Sequence, residues 1–310
     1  MHTDHTSAVR AWREDGFTIL PALIPAEELA AAVEGLRLLY PTADEFHDGV
    51  NPERNARFAD EFGGIDDFPF PSVELSLLAV HPRLIGLAQQ FLDTNDVRVF
   101  SIEAWAKYTG AADYEQHLHR DYLAHTLMAP SSDPRFAQVE MFVYLGDVPV
   151  ELGPPAFVPL RYATHLPAMP NYFPPGDGID NPEYPTWVAT TGHPDLYAHE
   201  VRAAGPAGTV VAYTNRTLHR GTQLNAPRGA RYTLHVNFRP AASDWQARHS
   251  WVLQSNSPAW HAFVRSASPE QLALFGWPAP GHPFWTEETL TGVCERYPGF
   301  DAARWRRAVP

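Results

Sequence analysis

The sequence predicts a mainly β protein with flanking helices, a sandwich or jelly roll and not a parallel α/β sheet. Three observations carry that expectation. After Asp96, short runs rich in β-branched and aromatic residues follow one another, with Gly, Pro and Asn turns between them and no helical pattern. The chain of 310 residues holds 30 prolines, about twice the usual share; they end helices and bound strands, which asks for short segments and long loops. Helical spacing is confined to the two ends, 1–95 and 241–310, which leaves 96–240 as the β core.

The elements follow in order. The first 45 residues read as helical. Pro25 sits at a helix start, with Glu27 and Glu28 in the first turn where carboxylates suit the helix dipole. Leu29, Val33, Leu36 and Tyr40 then share one face, and Pro41 ends the run. A second helical stretch spans 72–92, broken at Pro82. Val97 to Tyr108 reads as a strand, and strand-like runs follow at 116–123, 138–146, 155–160, 197–203, 208–214, 217–223 and 230–239. Residues 166–196 hold seven prolines with Tyr172, Phe173, Tyr184 and Trp187 among them, which predicts a functional lid within 166–200. From about 256 the pattern is helical again, with Trp260, Trp277 and Trp285 expected to pack outside the β core. With no repeat and no linker, one domain over 1–310 is expected.

Composition excludes several classes of function. Thirty-six acidic against 23 basic side chains give a net charge of -13, which offers no broad field to nucleic acid or anionic membrane. The one cysteine, Cys294, allows neither an internal disulfide nor a Cys-rich zinc site. The polar N-terminus and the absence of a run of about 20 apolar residues predict a cytoplasmic protein. Neither a Gly-x-Ser-x-Gly elbow nor a phosphate-binding glycine loop is present. Fifteen histidines remain as the unusual feature.

On a strand, residues i and i+2 point to one side, so His-x-Asp can offer two donors to one metal. A distant histidine would complete a two-His-one-carboxylate set with positions open for other ligands. The tripeptide occurs three times, where about one chance match is expected. His2-Thr3-Asp4 lies at the terminus, and His193-Pro194-Asp195 has a proline at its centre and reads as a turn. His119-Arg120-Asp121, flanked by aromatics, is the best placed; an ordinary His–Asp hydrogen bond in a half-buried strand is an equal reading of it. His219 follows a strand-like run and precedes a glycine, which suits the third donor. Arg231 opens an alternating strand whose polar face is Arg231, Thr233, His235 and Asn237, and whose apolar face is Tyr232, Leu234, Val236 and Phe238. An arginine beside a metal suits a dicarboxylate; the polar face could equally be turned to solvent.

In four stretches the chain resembles the phytanoyl-CoA dioxygenase family of Fe(II)- and 2-oxoglutarate-dependent oxygenases. EDGFTILPALIPAEEL resembles its opening strand and helix, and QHLHRD its Gln-x-x-His-x-Asp strand. MFVYLGDVPVELGPPAFVPLRYATH resembles the segment that ends in Val-Pro-x-x-x-x-His, and AGTVVAYTNRTLHRGTQLNAPRGARYTL the distal histidine with its later arginine. The resemblance implies a double-stranded β-helix (jelly-roll, cupin-like) core. It implies iron ligands His119, Asp121 and His219, and Arg231 as partner of the far carboxylate of 2-oxoglutarate. Thr222 stands one residue beyond the usual place of a hydroxyl that assists that arginine. Lys107, Gln116, Phe142 and Tyr144 match positions near the co-substrate or the pocket. His117, His165 and His235 are histidines of secondary or structural standing.

The implied cofactors are Fe(II), 2-oxoglutarate and O2. The implied reaction is hydroxylation, or another oxidation, of an unactivated C–H of a small metabolite, with release of succinate and CO2. No nucleic acid or membrane partner is implied. Two alternatives share the scaffold: a non-redox metal-dependent enzyme, and a non-catalytic protein that binds a small ligand.

Overall fold

The computed structural model describes residues 5–60, 62–111, 113–121, 136–167, 170–177, 188–243, 251 and 257–306. Within them lie eleven strands: β1 (Phe17–Leu20), β2 (Ile65–Asp67), β3 (Val97–Tyr108), β4 (Leu118–His119), β5 (Val139–Tyr144), β6 (Ala156–Val158), β7 (Tyr172–Phe173), β8 (Val201–Arg202), β9 (Val210–Thr214), β10 (Leu218–Arg220) and β11 (Ala230–Pro240). They form two antiparallel sheets, one of six strands in the order β1-β9-β5-β11-β3-β2 and one of five in the order β7-β4-β10-β6-β8. Helices flank them at both ends of the chain.

The N-terminal region is not helical throughout. Helix Thr6–Asp15 stops at Gly16, whose φ of 82° few other residues adopt. A Cβ there would lie 2.5 Å from Leu160 Cγ and 2.6 Å from Thr217 Oγ1, so the chain can turn into β1 against this neighbour only as glycine. The next helix, Ala26–Gly35, buries Leu29 and Ala32; Leu36 and Tyr40 continue the buried face beyond it. The expected break at Pro82 is present. Helix Val73–Ala79 is capped by Ser72, which accepts from Leu75 N at 3.1 Å, and Pro82–Leu92 starts afresh with its proline in the first turn.

The strand at 197–203 is corrected. Pro194 presets a short helix, Pro194–Tyr197, and only Val201–Arg202 is extended. The run at 116–123 is extended only at Leu118–His119 among its described residues, because Asp121 already lies in a turn. The proline-rich stretch contributes β7, which pairs with β4 (Leu118 with Phe173, His119 with Tyr172). Tyr184 and Trp187 lie outside the described residues.

The period-two alternation of β11 decides the layers. Leu234, Val236 and Phe238 have no exposed surface and pack with the helices on the outer face of the large sheet. Burying each contributes about 1.5–3 kcal/mol. Buried tyrosines there keep their hydroxyls satisfied: Tyr40 donates to Ala104 O at 2.6 Å and Tyr108 to Pro41 O at 2.7 Å. Trp260 and Phe263 pack against Phe68 on this side, and Trp277 and Trp285 gather near Trp305, so the C-terminal aromatics cover the large sheet from outside. Between the sheets lies a smaller aromatic cluster of Phe17, Phe142, Tyr144, Phe157 and Tyr213, and beside it the cavity opens.

Candidate metal centre

β10 lies in the middle of the small sheet, and its His219 is directly opposite His119 of β4. Cross-strand partners project to the same face, so both imidazoles enter the space between the sheets with centroids 4.6 Å apart. Asp121, two residues after His119, turns its carboxylate to the same point. His119 Nε2 lies 3.4 Å from Asp121 Oδ1, and His219 Nε2 lies 3.1 Å from Asp121 Oδ2. The three donor atoms fall within 4.8 Å of one another. One ion could therefore touch all three.

The other ring nitrogens fix the tautomer. His119 Nδ1 meets His117 O at 2.8 Å and His219 Nδ1 meets Thr217 O at 3.2 Å. A carbonyl oxygen only accepts, so each Nδ1 carries a hydrogen, and each Nε2 is the atom left to bind a metal when its ring is neutral. The Tyr213 hydroxyl donates to Asp121 Oδ2 at 3.2 Å. Burial, with Glu140 and Asp121 nearby, raises the Tyr213 pKa well above its ordinary value, so it remains a donor. Burial opposes charging His219, yet the adjoining Asp121 carboxylate outweighs it and raises that pKa. A bound cation would take the place of that proton.

Around this point the sheets enclose a cavity of about 430 Å³. Its floor is the polar face of β11: Arg231, Thr233, His235 and Asn237 all line it, so that face is not turned to solvent. Arg231 is 9% exposed. Burial lowers its pKa, with Tyr144 and Asp113 opposing. Its one hydrogen bond among the described residues is a long one, Nη1 to Leu152 O at 3.4 Å. A guanidinium so buried and so weakly satisfied calls for an anionic ligand. Lys107 is opposite Arg231 on β3 and also lines the cavity. Gln116 Oε1 accepts from Gly221 N at 2.8 Å; a Cβ on Gly221 would meet that oxygen at 2.7 Å.

The other sequence candidates divide. Phe142 lines the cavity. Tyr144 lies beneath it, fully buried, with its hydroxyl on Ala203 O at 2.6 Å. Thr222 is a correction: its hydroxyl donates to Pro154 O at 2.8 Å and it is absent from the lining, the extra residue after His219 having turned it away. His117 lines the cavity and supplies the carbonyl that orients His119. His165 is exposed on a turn. His235 lines the cavity, stacked on Trp105 at 4.6 Å. His193-Pro194-Asp195 starts a helix outside the cavity, and His2-Thr3-Asp4 lies outside the described residues.

Glu103, Trp105, Glu140, Tyr213 and Arg220 also line the cavity without having been singled out as site residues, as does Tyr172, read only as part of the expected lid. The signal for two of them was the alternation in VRVFSIEAWAKY, which sets Glu103 and Trp105 on the face of Lys107. Tyr172 stacks on His119 at 5.3 Å.

The family model described as phytanoyl-CoA dioxygenase (PhyH) matches residues 12–230. A search of the curated proteins gives no match. Among solved structures, the chain is similar to the epimerase SnoN in complex with Fe3+, alpha ketoglutarate and nogalamycin RO. That likeness has a TM-score of 0.52 at 22% identity and covers 76% of this chain and 83% of the other. It is also similar to EctD from S. alaskensis with 2-oxoglutarate and 5-hydroxyectoine, with a TM-score of 0.54 at 15% identity over 80% of this chain and 84% of the other. At these identities the likeness concerns the fold.

Proposed function

The chain belongs to the phytanoyl-CoA dioxygenase family, whose members use Fe(II), 2-oxoglutarate and O2, and we propose that it hydroxylates an unactivated C–H of a small metabolite with release of succinate and CO2. The observation that carries the reading is one cavity holding both a converging His–Asp–His set and a buried arginine without a carboxylate partner among the described residues. In this reading the two sheets are the halves of a jelly roll, and 1–310 is one domain.

His119 and His219 would hold iron through neutral Nε2 atoms, and ionised Asp121 would supply the third donor. Bound there, iron(II) supplies the centre at which O2 is reduced as 2-oxoglutarate is decarboxylated, and so the oxidant for the substrate. The chain does the rest. Tyr213 steadies the Asp121 carboxylate. Arg231 grips the 5-carboxylate of 2-oxoglutarate, with Lys107 and Gln116 beside it. Phe142, Tyr172 and the aromatic cluster between the sheets exclude water, with Tyr172, from the described part of 166–200, at the exposed edge of the cavity. Cytoplasmic residence and a small-molecule partner belong to the same reading.

The test is calorimetric titration of 2-oxoglutarate into the iron(II) protein without O2. Arg231→Ala should weaken binding by roughly 100-fold, and Arg231→Lys should restore part of it. An unchanged affinity in Arg231→Ala would falsify the assignment. Mass spectrometry of the product then reads the outcome: a gain of one oxygen atom is hydroxylation. A product of unchanged mass with one centre inverted would replace it with epimerisation, the activity named for one similar structure.

A further inference from the structure

On the side of the large sheet, the cavity wall is a continuous row of rings that ends at the metal centre. Trp105 on β3 lies parallel to His235 on β11, with centroids 4.6 Å apart and 7° between the planes. The Phe142 ring on β5 follows at 4.2 Å from His235, and the Tyr213 ring on β9 at 5.1 Å from Phe142. Tyr213 in turn lies 4.6 Å from the candidate donor His219. All five line the cavity. The first four stand on neighbouring strands of one sheet, so at the usual strand spacing the row spans about 14 Å. Polar neighbours hold its outer pair in place. The Trp105 indole N–H donates to Glu103 Oε2 at 3.1 Å, and the Thr233 hydroxyl meets His235 Nε2 at 3.0 Å. Trp105 and His235 are therefore a preformed platform, and both rings are only half-buried.

Phe62 carries the apolar surface to the outside. It lines the cavity, is 59% exposed, and makes no ring contact among the described residues. The turn that bears it is tightly fixed. Asp60 Oδ1 accepts from Phe62 N at 2.9 Å, and Ile65 N donates to Phe62 O at 3.0 Å. Ala106 N on β3 donates to Gly64 O at 2.9 Å, and a Cβ on Gly64 would collide with Ala106 O, so the turn lies backbone to backbone on β3. Ile65 is paired with Trp105 and joins it in the lining, which links the turn to the platform. A lone exposed phenylalanine needs no explanation, but this one is held by a fixed turn at the mouth of a cavity whose wall is aromatic. A small polar substrate would leave both surfaces wet. A molecule with an apolar ring body covers them and gains edge and face contacts with the rings.

We propose that the substrate carries an apolar body of two or more rings that lies against the Trp105–His235 platform, and that Phe62 is the specificity residue for the ring nearest the mouth. This rests on the iron and 2-oxoglutarate reading of the same cavity. The test is calorimetry on the wild-type protein loaded with iron(II) and 2-oxoglutarate in the absence of O2. Three neutral alcohols are compared: 2-naphthalenemethanol, benzyl alcohol with one ring fewer, and 1-heptanol, which is similarly apolar but has no ring. The two-ring alcohol should bind about tenfold more tightly than either of the others. Phe62→Ala should weaken it by about fivefold and leave benzyl alcohol within about twofold, and Phe62→Tyr should restore the ranking. The inference is overturned if 2-naphthalenemethanol does not bind, if 1-heptanol binds as tightly, or if Phe62→Ala weakens both ring alcohols alike or neither. The wild-type ranking decides by itself should a variant not fold. Failure of 2-oxoglutarate to bind would remove the metal-centre reading as well; 2-oxoglutarate binding without the ranking removes this inference alone.

Discussion

The two sheets are built differently. In the large one, β3 runs for 12 residues and β11 for 11, paired along their length. Its outer face is apolar and roofed by helices. In the small one, β4, β7 and β8 have two residues each and β6 and β10 three. β4 meets β10 at the single pair His119–His219. Side chains supply what the ladder lacks. The Tyr197 hydroxyl donates to Phe173 O at 2.8 Å and accepts from Leu118 N at 3.0 Å, and Arg220 ties β10 to Glu200. The difference assigns labour. Arg231, Glu103 and Glu140 stand on the stiff sheet, where position is set by long pairing. Of the metal donors, His119 and His219 stand on short strands and Asp121 in the turn after β4, where a bound ion can itself contribute order.

The strongest way to break that comparison is to remove the ion's charged donor. Asp121→Ala should lower coupled turnover by about 10³-fold or more. In hydrogen exchange, iron(II) should slow β4 and β10 in the wild type and fail to do so in the variant, while β3 and β11 exchange alike in both. Equal metal-dependent protection of the two sheets would end the division of labour. Next in size is Leu234→Ala, beneath the helices on the large sheet. It leaves a cavity at a site with no exposure and should cost about 2–5 kcal/mol of global stability. Chemical denaturation reads it, and iron affinity of the folded variant should match the wild type. A Leu234→Ala protein that lost iron before it lost its fold would show the sheets to be coupled more tightly than their pairing implies.

What was legible in the sequence follows the same line. β11 was readable because its alternation repeats over eleven residues, and both of its faces are where that alternation puts them. β4 was read as part of a longer strand-like run over 116–123, but only Leu118–His119 is extended among its described residues, and Asp121 reaches the same point from the turn that follows. The helix at Pro194 was hidden among strand-like neighbours, although proline followed by aspartate is a helix start. Thr222 shows the limit of spacing: one extra residue after His219 sent its hydroxyl to Pro154. Glu103 and Glu140 were present in the alternation of their strands, but a carboxylate on a half-polar strand face reads as solvent-facing until the opposite sheet is in place.

The smallest expected effect sharpens the comparison most, because Tyr213 belongs to the large sheet and reaches across to the small one. It stands on β9, is 2% exposed, and its hydroxyl donates to Asp121 Oδ2 while its ring lies 4.6 Å from that of His219. Tyr213→Phe keeps the ring and deletes only the hydroxyl. Groups that orient a metal-bound carboxylate typically matter by 10–100-fold in metal affinity. This contact, at 3.2 Å and with both histidines independently held by carbonyls, should sit at the low end, about tenfold. Metal-free stability should fall by only about 1 kcal/mol, the worth of one buried hydrogen bond. Iron(II) titration and metal-free thermal melting separate the two effects. If the melting point falls and iron affinity does not move, Tyr213 merely fills space between the sheets. If affinity falls tenfold at near-constant stability, the stiff sheet sets the geometry of the ion that the short strands hold.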